Sequence, residues 1–363
     1  MDNARLSDGE DFRPAASLTT LRQRAELLAE VRKQFSARGY WEVETPILSQ
    51  DTVVDAWLEP FTTDAASGST KNRADESRGG NVELFLQTSP EFGMKRLLAC
   101  GAAAIYQITR AFRRGEVGRF HNPEFTMVEW YRAGDSYYDQ MAFVEQLVTG
   151  VFQRAAELVS EAEPDAGSQL LFHGVPRPPF DRLKYDDAFT KFVGVPVLSL
   201  SAMQLTQLAA DHEVTTPATL RPDDRDSLLN LLLAELVEPN LGCGRPTFLY
   251  DYPASQAAMA TVRADVPPVA ERFELYLGGV ELCNGYQELT DPDELEQRMQ
   301  RQSALRVREG LRPLPVKSRL LEALRVTGLP SCSGVALGFD RLTMLALGKT
   351  SLAAVTAFPI DRA

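Results

Sequence analysis

Arginine and histidine side chains cluster in one short segment of this 363-residue sequence, between two stretches with the pattern of strands. Residues 112–125 read Phe-Arg-Arg-Gly-Glu-Val-Gly-Arg-Phe-His-Asn-Pro-Glu-Phe. Arg113, Arg114, Arg119 and His121 fall in one loop, where their charge and N–H donors suit the phosphates of a nucleotide. The segment predicts a phosphate-binding hairpin, with an ordinary solvated charged loop as the alternative.

The strand that follows this loop brings a second set of chemical groups. Side chains alternate between the two faces of a strand, so Phe125, Met127, Glu129 and Tyr131 are expected on one face. An aromatic ring can stack on a base, and a carboxylate with a phenol can bind a cationic group. This face therefore predicts contacts with both a base and an ammonium group.

Two carboxylates occupy a second predicted hairpin, over residues 271–289. Gly278-Gly279 predicts a two-residue turn, and counting outward pairs 277 with 280, 276 with 281, and 274 with 283. Glu274 and Glu281 are then diagonal neighbours on one face, roughly 7–8 Å apart at the backbone. Such a pair can bind the divalent cation that accompanies nucleotide phosphates. Two exposed acids on a strand face are the alternative.

A third segment combines small residues with one arginine. Residues 331–342 read Ser-Cys-Ser-Gly-Val-Ala-Leu-Gly-Phe-Asp-Arg-Leu. Small residues at 334, 336 and 338 let a flat ligand approach the backbone, and Arg341 begins an amphipathic helix. A buried strand that leads into a packed helix is the alternative interpretation of this segment alone.

The elements that must position these groups predict an α+β protein with an antiparallel sheet. Hairpins predominate, and strands do not alternate with helices as in a parallel βαβ sheet. Helices are predicted over 18–39, 136–160, much of 185–240 and 291–309, with a strand–helix pair over 334–347. Strands are predicted over 40–44, 57–62, 82–87, 103–112, 124–131, 247–252 and 271–289. A polar leader is expected over 1–17, one folded domain over 18–363, and a mobile loop over 64–81.

Composition limits the classes of partner. With 50 acidic and 38 basic residues the formal net charge is −12, which does not favour a broad nucleic-acid-binding surface. No stretch approaches the roughly 18 apolar residues of a membrane span. The four cysteines are scattered, without the paired spacing of zinc ligands. We therefore expect a cytoplasmic protein without a membrane segment.

Taken together, the segments resemble the sequence motifs of the class II aminoacyl-tRNA synthetases. Residues 18–46 are similar to motif 1, which forms the dimer interface in that class. The hairpin at Arg113 is similar to motif 2, and residues 334–342 are similar to motif 3. The resemblance implies the catalytic fold of the class over residues 18–363, an antiparallel β-sheet flanked by helices, and a homodimer.

Within the class, the sequence is close to the lysyl-tRNA synthetases at 121–126 (His-Asn-Pro-Glu-Phe-Thr) and 284–289 (Asn-Gly-Tyr-Gln-Glu-Leu). Those enzymes carry an anticodon-binding domain where fewer than 20 residues precede motif 1 here. The chain therefore resembles their free-standing paralogues, the elongation factor P–(R)-β-lysine ligases. This match includes Thr-Ser-Pro-Glu at 88–91, Glu-Trp-Tyr at 129–131, Pro-Ala-Ser-Gln-Ala at 253–257 and Asp-Arg-Ala at 361–363.

The resemblance implies ATP as a substrate, Mg²⁺ as a cofactor, and roles for individual residues. Arg113 and Arg341 would form the catalytic pair on the phosphates, and Glu274 and Glu281 would hold magnesium. The ATP site would comprise Arg113, Arg114, Gly115, His121, Asn122, Phe125, Glu281, Leu282, Gly338 and Arg341. The amino-acid site would comprise Ser89, Pro90, Glu91, Glu129, Tyr131, Asn284, Glu288 and Ala336.

Within these sets the resemblance is more specific. Phe125 would stack on adenine, and Glu91, helped by Ser89, would bind the backbone-side amine of the amino acid. Glu129, Tyr131 and Glu288 would bind its terminal ammonium, whose three N–H donors suit carboxylates and a phenol.

Two positions depart from the lysyl-tRNA synthetases. Their motif 2 reads Arg-x-Glu, whereas this sequence has Gly115 followed by Glu116, so recognition of adenine by a side chain at 115 is not expected. Their motif 3 has glycine where Ala336 stands, and the added methyl group fits a preference for a β-amino acid.

The resemblance implies a two-step reaction. (R)-β-Lysine, with lysine as a second candidate substrate, would be activated as an adenylate and then transferred to a lysine ε-amine of elongation factor P. One alternative is a minimal enzyme that charges tRNA, a partner that the acidic balance disfavours. The other is a non-catalytic regulatory subunit, which retention of both arginines and both carboxylates disfavours.

Overall fold

A computed structural model of the chain describes residues 12–65, 82–162 and 174–363. The helices in these ranges are α1 Leu18–Ala37, α2 Glu91–Ala99, α3 Tyr137–Ala162, α4 Tyr185–Val193, α5 Ala202–Asp211, α6 Arg225–Leu232, α7 Pro292–Arg308, α8 Arg319–Thr327 and α9 Phe339–Ala346. The strands are β1 Trp41–Glu42, β2 Leu48–Ser49, β3 Thr62–Ala65, β4 Val82–Leu86, β5 Ala104–Phe112, β6 Glu124–Ala133, β7 Asp181–Lys184, β8 Thr247–Pro253, β9 Val262–Arg263, β10 Val269–Leu277, β11 Val280–Gln287 and β12 Cys332–Gly338.

Helix α1 forms as the apolar spacing predicts. The Ser17 side chain accepts a hydrogen bond from the backbone N–H of Thr20 and so caps the first turn. Leu27, Val31 and Phe35, four residues apart, form one buried stripe. This stripe joins the hydrophobic core that α3 covers.

One large sheet organises the described residues. Its strands lie in the order β1-β5-β6-β12-β11-β10-β8-β7, and β9 pairs with β10. The central pairs are antiparallel, whereas β1 with β5 and β7 with β8 are parallel. The predicted α+β class with an antiparallel sheet is confirmed. Helices α3 and α9 pack against one face of the sheet, which leaves the opposite face for the site.

The strand predicted over 57–62 was wrong. In a second, three-stranded sheet, β4 pairs with β2 on one side and on the other with β3, which begins only at Thr62. The Asp55 carboxylate accepts hydrogen bonds from the backbone N–H groups of Trp57 and Leu58, and Arg306 donates to the Asp55 and Leu58 carbonyl oxygens. These side-chain bonds satisfy the backbone in an irregular loop and compete with a strand ladder.

Two other expectations are only partly covered by the described residues. Residues 64 and 65 of the predicted loop belong to β3, and the remaining residues, 66–81, lie outside the described residues. Of the predicted polar leader, 1–11 also lie outside them. The backbone N–H groups of Ala15 and Ala16 donate to the carbonyl oxygens of Ala357 and Thr356. These bonds fix this part of the leader to the C-terminal segment, residues 347–363.

Helix α2 was not predicted from the sequence. Its nine residues include Gly93, and a glycine inside a helix lowers its intrinsic stability. The surrounding structure requires that glycine, because a Cβ at 93 would lie 2.8 Å from the Cβ of Thr45. Packing against α8 and the strands therefore stabilises a helix that the local sequence disfavours.

The β10–β11 hairpin contains a bulge that the sequence did not reveal. Its turn forms at Gly278-Gly279, with 277 opposite 280 and 276 opposite 281 as predicted. The predicted pairing of 274 with 283 was wrong: Leu275 pairs with Cys283, and Glu274 pairs with Asn284. Leu282 is the additional residue, so Glu281 and Asn284 lie on the same face despite the odd spacing.

No helix among the described residues is long and apolar enough to cross a membrane.

Candidate active site

A cavity of about 160 Å³ lies on the free face of the sheet, where β6, β11 and β12 meet the β5–β6 loop. Most of the residues predicted to bind ATP line it: Arg113, His121, Asn122, Phe125, Glu281, Leu282, Gly338 and Arg341. Arg114 and Gly115 occupy an exposed turn and do not line the cavity. Gly115 has a φ of +87°, and the Arg114 N–H donates to the Glu59 carbonyl oxygen, so this turn positions its neighbours through its backbone.

Arg113 lies at the mouth of the β5–β6 loop with its charge weakly paired. Its guanidinium carbon is 5.1 Å from the centroid of the Phe125 ring, a cation–π arrangement. The closest carboxylate contact is with Glu116, at 3.7 Å. Because a contact of this length forms no tight ion pair, the Arg113 guanidinium can bind an incoming phosphate.

Arg341 is held more firmly than Arg113. Its guanidinium donates to the carbonyl oxygens of Phe120, at 3.2 Å, and Glu281, at 2.9 Å. A third contact, of 2.8 Å, joins it to Nε2 of His121. Arg341 thus links the β5–β6 loop to β11 in a fixed geometry.

His121 is a neutral hydrogen-bond acceptor in this arrangement. Burial and the positive charge of Arg341 lower its pKa below the usual value. Because Arg341 can only donate, Nε2 must accept, which places the imidazole proton on Nδ1.

Both polar atoms of the Asn122 side chain form hydrogen bonds to other parts of the protein. Its amide donates to the Glu124 carbonyl oxygen, at 2.6 Å, and its oxygen accepts from the Ile360 N–H, at 3.0 Å. Asn122 thereby ties the loop to the C-terminal segment, and Leu352 of that segment lines the cavity.

A second network fixes the strands beside the cavity. The Asp340 carboxylate accepts from the Thr126 N–H, at 2.8 Å, and forms a 2.5 Å ion pair with Arg24 of α1. Arg24 also donates to the Thr126 hydroxyl, at 2.9 Å. Helix α1 is therefore tied to β6 and to the start of α9, one residue from Arg341.

Glu274 and Glu281 lie on one face, as predicted, but their surroundings differ. Glu274 accepts hydrogen bonds from the Tyr252 and Tyr276 hydroxyls, both at 2.6 Å, and from Arg272. Burial opposes its ionisation, but Arg272 and the two phenols outweigh burial and lower its pKa. Burial and the charge of Glu274 raise the pKa of Glu281.

Of this pair, Glu281 lines the cavity and is available to a metal ion that arrives with a nucleotide, whereas Glu274 does not line the cavity and its oxygens accept hydrogen bonds from Arg272 and two phenols. No group of three His, Cys, Asp or Glu side chains within the described ranges forms a complete metal site. Mg²⁺ commonly uses one or two protein carboxylates and takes its other ligands from phosphates and water. Burial and Glu274 also raise the pKa of the adjacent Glu238, to about 7. A divalent cation would relieve this concentration of negative charge.

The residues predicted to bind the amino acid form a separate cluster joined by hydrogen bonds and ion pairs, here called the amino-acid cluster. Ser89 donates to Glu129, at 2.8 Å, and the Tyr131 hydroxyl donates to the other Glu129 oxygen, at 2.6 Å. The Ser89 hydroxyl also accepts from the backbone N–H of Glu91, at 3.0 Å, and Pro90 between them is the N-cap of α2. Strand β6 and the start of α2 therefore present Glu129 and Glu91 to one space.

Lys95 is the residue of this cluster that the sequence analysis missed. Its ammonium lies 2.6 Å from Glu91 and 2.6 Å from Glu288. Glu91 and Lys95 are four residues apart on α2, a spacing that brings side chains together on a helix. This spacing would have identified Lys95 from the sequence only if helix α2 had been predicted.

Burial perturbs the carboxylates of this cluster. Burial and the charge of Glu91 raise the pKa of Glu129 to about 8, even though Tyr131 and Ser89 hydrogen-bond to it. Burial also raises the pKa of Glu288, while the Lys95 ammonium opposes that rise. Buried carboxylates with raised pKa values are typical of functional sites.

The two halves of the site meet at Asn284 and Ala336, which also line the cavity. In the sheet Ala336 pairs with Asn284 on one side and with Glu129 on the other. The nucleotide-side and amino-acid-side residues thus share one face, and an acyl phosphate could form between them.

A comparison with known families is consistent with this geometry. The family described as tRNA synthetases class II (D, K and N) matches residues 10–362. The match includes the β5–β6 hairpin, the β10–β11 hairpin and the β12–α9 segment. The chain therefore belongs to the class II tRNA synthetase family (D, K and N), which activates amino acids with ATP as aminoacyl adenylates.

Proposed function

We propose that the chain activates a lysine-type diamino acid, (R)-β-lysine, as an adenylate and transfers it to a lysine ε-amine of elongation factor P. The observation that carries this proposal is the charge of the amino-acid cluster. Within the described ranges, Glu91, Glu129 and Glu288 surround Lys95, so the cluster has two net negative charges when all four groups are ionised. A diamino acid supplies two ammonium groups and neutralises it.

The first step joins the amino acid to the nucleotide. A carboxylate oxygen of the amino acid attacks the α-phosphorus of ATP, and the bond from that phosphorus to the β-phosphate oxygen breaks, which releases pyrophosphate. Arg113 would bind the α-phosphate and Arg341 the distal phosphates, where each stabilises developing negative charge. Mg²⁺ held by Glu274 and Glu281 would supply further charge neutralisation on the phosphates.

The second step moves the acyl group to the partner. The ε-nitrogen of a lysine attacks the acyl carbon, the bond to the AMP oxygen breaks, and the amine loses one proton. This reaction needs no nucleophile from the chain. The catalytic contribution of Arg113, Arg341 and the carboxylates is to position the reactants and to stabilise charge.

The β-amino preference is supported by Ala336. Its methyl group lines the cavity between Asn284 and Glu129, where the adenylate and amino-acid portions meet. A methyl group there displaces the amino acid from the wall, which favours a backbone longer by one carbon.

Two partner assignments belong to the same proposal. The formal net charge of −12 supports a protein acceptor over tRNA. Trp41, on the edge strand β1 after α1, is 64% exposed, and exposed large aromatic residues are enriched at protein interfaces. This surface supports a homodimer through α1 and β1.

The test is transfer of labelled (R)-β-lysine, with Mg-ATP, to elongation factor P and in parallel to total tRNA. We expect label on the protein, with (R)-β-lysine outcompeting lysine. Label on tRNA alone would replace the proposal with a tRNA-charging function. If neither acceptor is labelled and neither diamino acid supports ATP–pyrophosphate exchange, the proposal is wrong.

Binding of the diamino acid should release a proton and tighten as pH rises. At pH 7 the carboxyl group of Glu129, with a pKa near 8, is mostly neutral, and an ammonium partner favours its ionised form. Below the pKa each pH unit should weaken binding about tenfold, with a plateau above about pH 8. Calorimetry in two buffers of different ionisation enthalpy measures the released proton.

The control for this pH dependence is Glu129→Gln, which cannot titrate. It should weaken binding and flatten the pH profile. An affinity that falls from pH 6 to pH 8 in the unmodified protein would contradict the assignment of Glu129 to an ammonium group.

A further inference from the structure

Lys95 on α2 is unusual because it is a lysine that is buried beside a polar site. Its side chain is 1% exposed, and lysine is rarely buried so deeply unless its charge is paired. Here the ammonium contacts two carboxylates from different elements, Glu91 on α2 and Glu288 after β11. It also lies 5.8 Å from the centroid of the Tyr131 ring.

These contacts fix the orientation of both carboxylates. Lys95 binds Oε1 of Glu91 and Oε2 of Glu288, each at 2.6 Å, and the Gly334 backbone also hydrogen-bonds to the Glu288 carboxylate. Oε1 of Glu288 lies toward β12, within 2.6 Å of where a Cβ on Gly334 would be. One buried ammonium therefore couples α2 to the strand pair β11–β12.

Lys95 also sets the charge that a ligand encounters. The titratable groups that face it are Glu91 on α2, Glu129 and Tyr131 on β6, Glu288 after β11, and Cys332 on β12. Burial lowers the pKa of Lys95, but Glu288 and Glu91 outweigh burial and raise it, so the residue stays charged. Its positive charge cancels one of the three carboxylates.

We infer that Lys95 is a positioning residue that holds Glu91 and Glu288 in place and adjusts the site to two negative charges, selecting a substrate with two ammonium groups. This inference rests on the proposed function, because it concerns the same site. A substrate with one ammonium group leaves a buried carboxylate uncompensated, whereas a change that removes one carboxylate while Lys95 remains leaves an ammonium group uncompensated.

The charge count makes a prediction about a pair of variants. Glu288→Gln alone leaves one net negative charge and should raise the KM for the diamino acid about 100-fold. Lys95→Met in that background restores two negative charges and should lower the raised KM at least tenfold. The KM for ATP should change less than about threefold in all variants. Substrate-dependent ATP–pyrophosphate exchange measures each value.

A purely structural role for Lys95 predicts a different pattern. The second substitution would then add damage, and a double variant no better than Glu288→Gln overturns the inference. Arg306→Met in the Glu288→Gln background is the matched control. Arg306 is an equally buried cation that binds the Asp55 and Leu58 carbonyl oxygens away from the site, and its loss should not restore KM.

Two further measurements complete the test. Lys95→Met alone should shift the pH dependence of the KM for the diamino acid upward by about one unit, because the carboxylates lose a cationic neighbour. An unshifted profile counts against the inference. Lys95→Gln, which retains an N–H donor, replaces Lys95→Met if circular dichroism shows that the methionine variant is unfolded. An unmodified protein inactive with every diamino acid overturns the proposed function instead, and this inference with it.

Discussion

Arg113→Ala is expected to lower the kcat of substrate-dependent ATP–pyrophosphate exchange by about 10²–10³-fold, the usual cost of removing one donor that stabilises transition-state charge. The Arg113 guanidinium has no tight ion pair among the described side chains, since its contact with Glu116 is 3.7 Å long. Little of the fold therefore depends on Arg113. Stabilisation of the negative charge that develops on the α-phosphate does depend on it. Exchange of labelled pyrophosphate into ATP gives the measurement.

Arg110→Ala is the matched control for that variant. Arg110 lies on the same hairpin, three residues earlier, and makes a 3.5 Å surface contact with Glu124. Exposed pairs of this kind contribute little, so activity should change less than about twofold. Sedimentation should show the same oligomeric state for both variants. Full activity in Arg113→Ala would remove Arg113 from the mechanism and favour a non-catalytic subunit.

Gly334→Ala should raise the KM for the diamino acid about 100-fold or more. A Cβ at 334 would lie 2.3 Å from the Tyr131 ring and 2.6 Å from the Glu288 carboxylate. Both side chains belong to the amino-acid cluster, and both are buried, so neither can move aside without leaving its partners. The KM for ATP should stay nearly constant, because Gly334 does not line the nucleotide cavity.

A glycine-to-alanine substitution at a second position distinguishes the local clash at 334 from a general cost of replacing glycine. At Gly244 an added Cβ meets no atom within 4 Å, and Gly244 lies apart from the site residues. Gly244→Ala should leave both KM values unchanged. If Gly334→Ala behaved in the same way, the assignment of Tyr131 and Glu288 to substrate binding would be wrong.

The sequence predicted those parts of the fold whose signals are local. The β5–β6 hairpin, the Gly278-Gly279 turn and the β12–α9 segment each have a pattern of alternation, turn residues or helix periodicity within a few residues. The site residues on these elements, such as Arg113, Glu129 and Arg341, could be identified for that reason. The shared face expected for Phe125, Met127, Glu129 and Tyr131 follows from strand geometry alone.

The parts that the sequence did not predict depend on distant contacts. Helix α2, and with it Lys95, is stabilised by packing that outweighs the cost of Gly93. The loop at 55–61 takes its shape from hydrogen bonds to Arg306, about 250 residues away in the chain. Neither interaction leaves a periodic signal in the local sequence.

The bulge at Leu282 makes the site depend on the backbone of β11 as well as on its side chains. In a regular strand of the same length, Asn284 and Glu288 would lie on the opposite face from Glu281 and would turn toward the core, where Phe273 and Leu275 pack. Deleting Leu282 would also make the strand regular, but it would leave Glu281 and Asn284 two residues apart, so both would stay on the face of the site. The two halves of the site therefore stay aligned only if the extra residue is accommodated as a bulge or removed altogether.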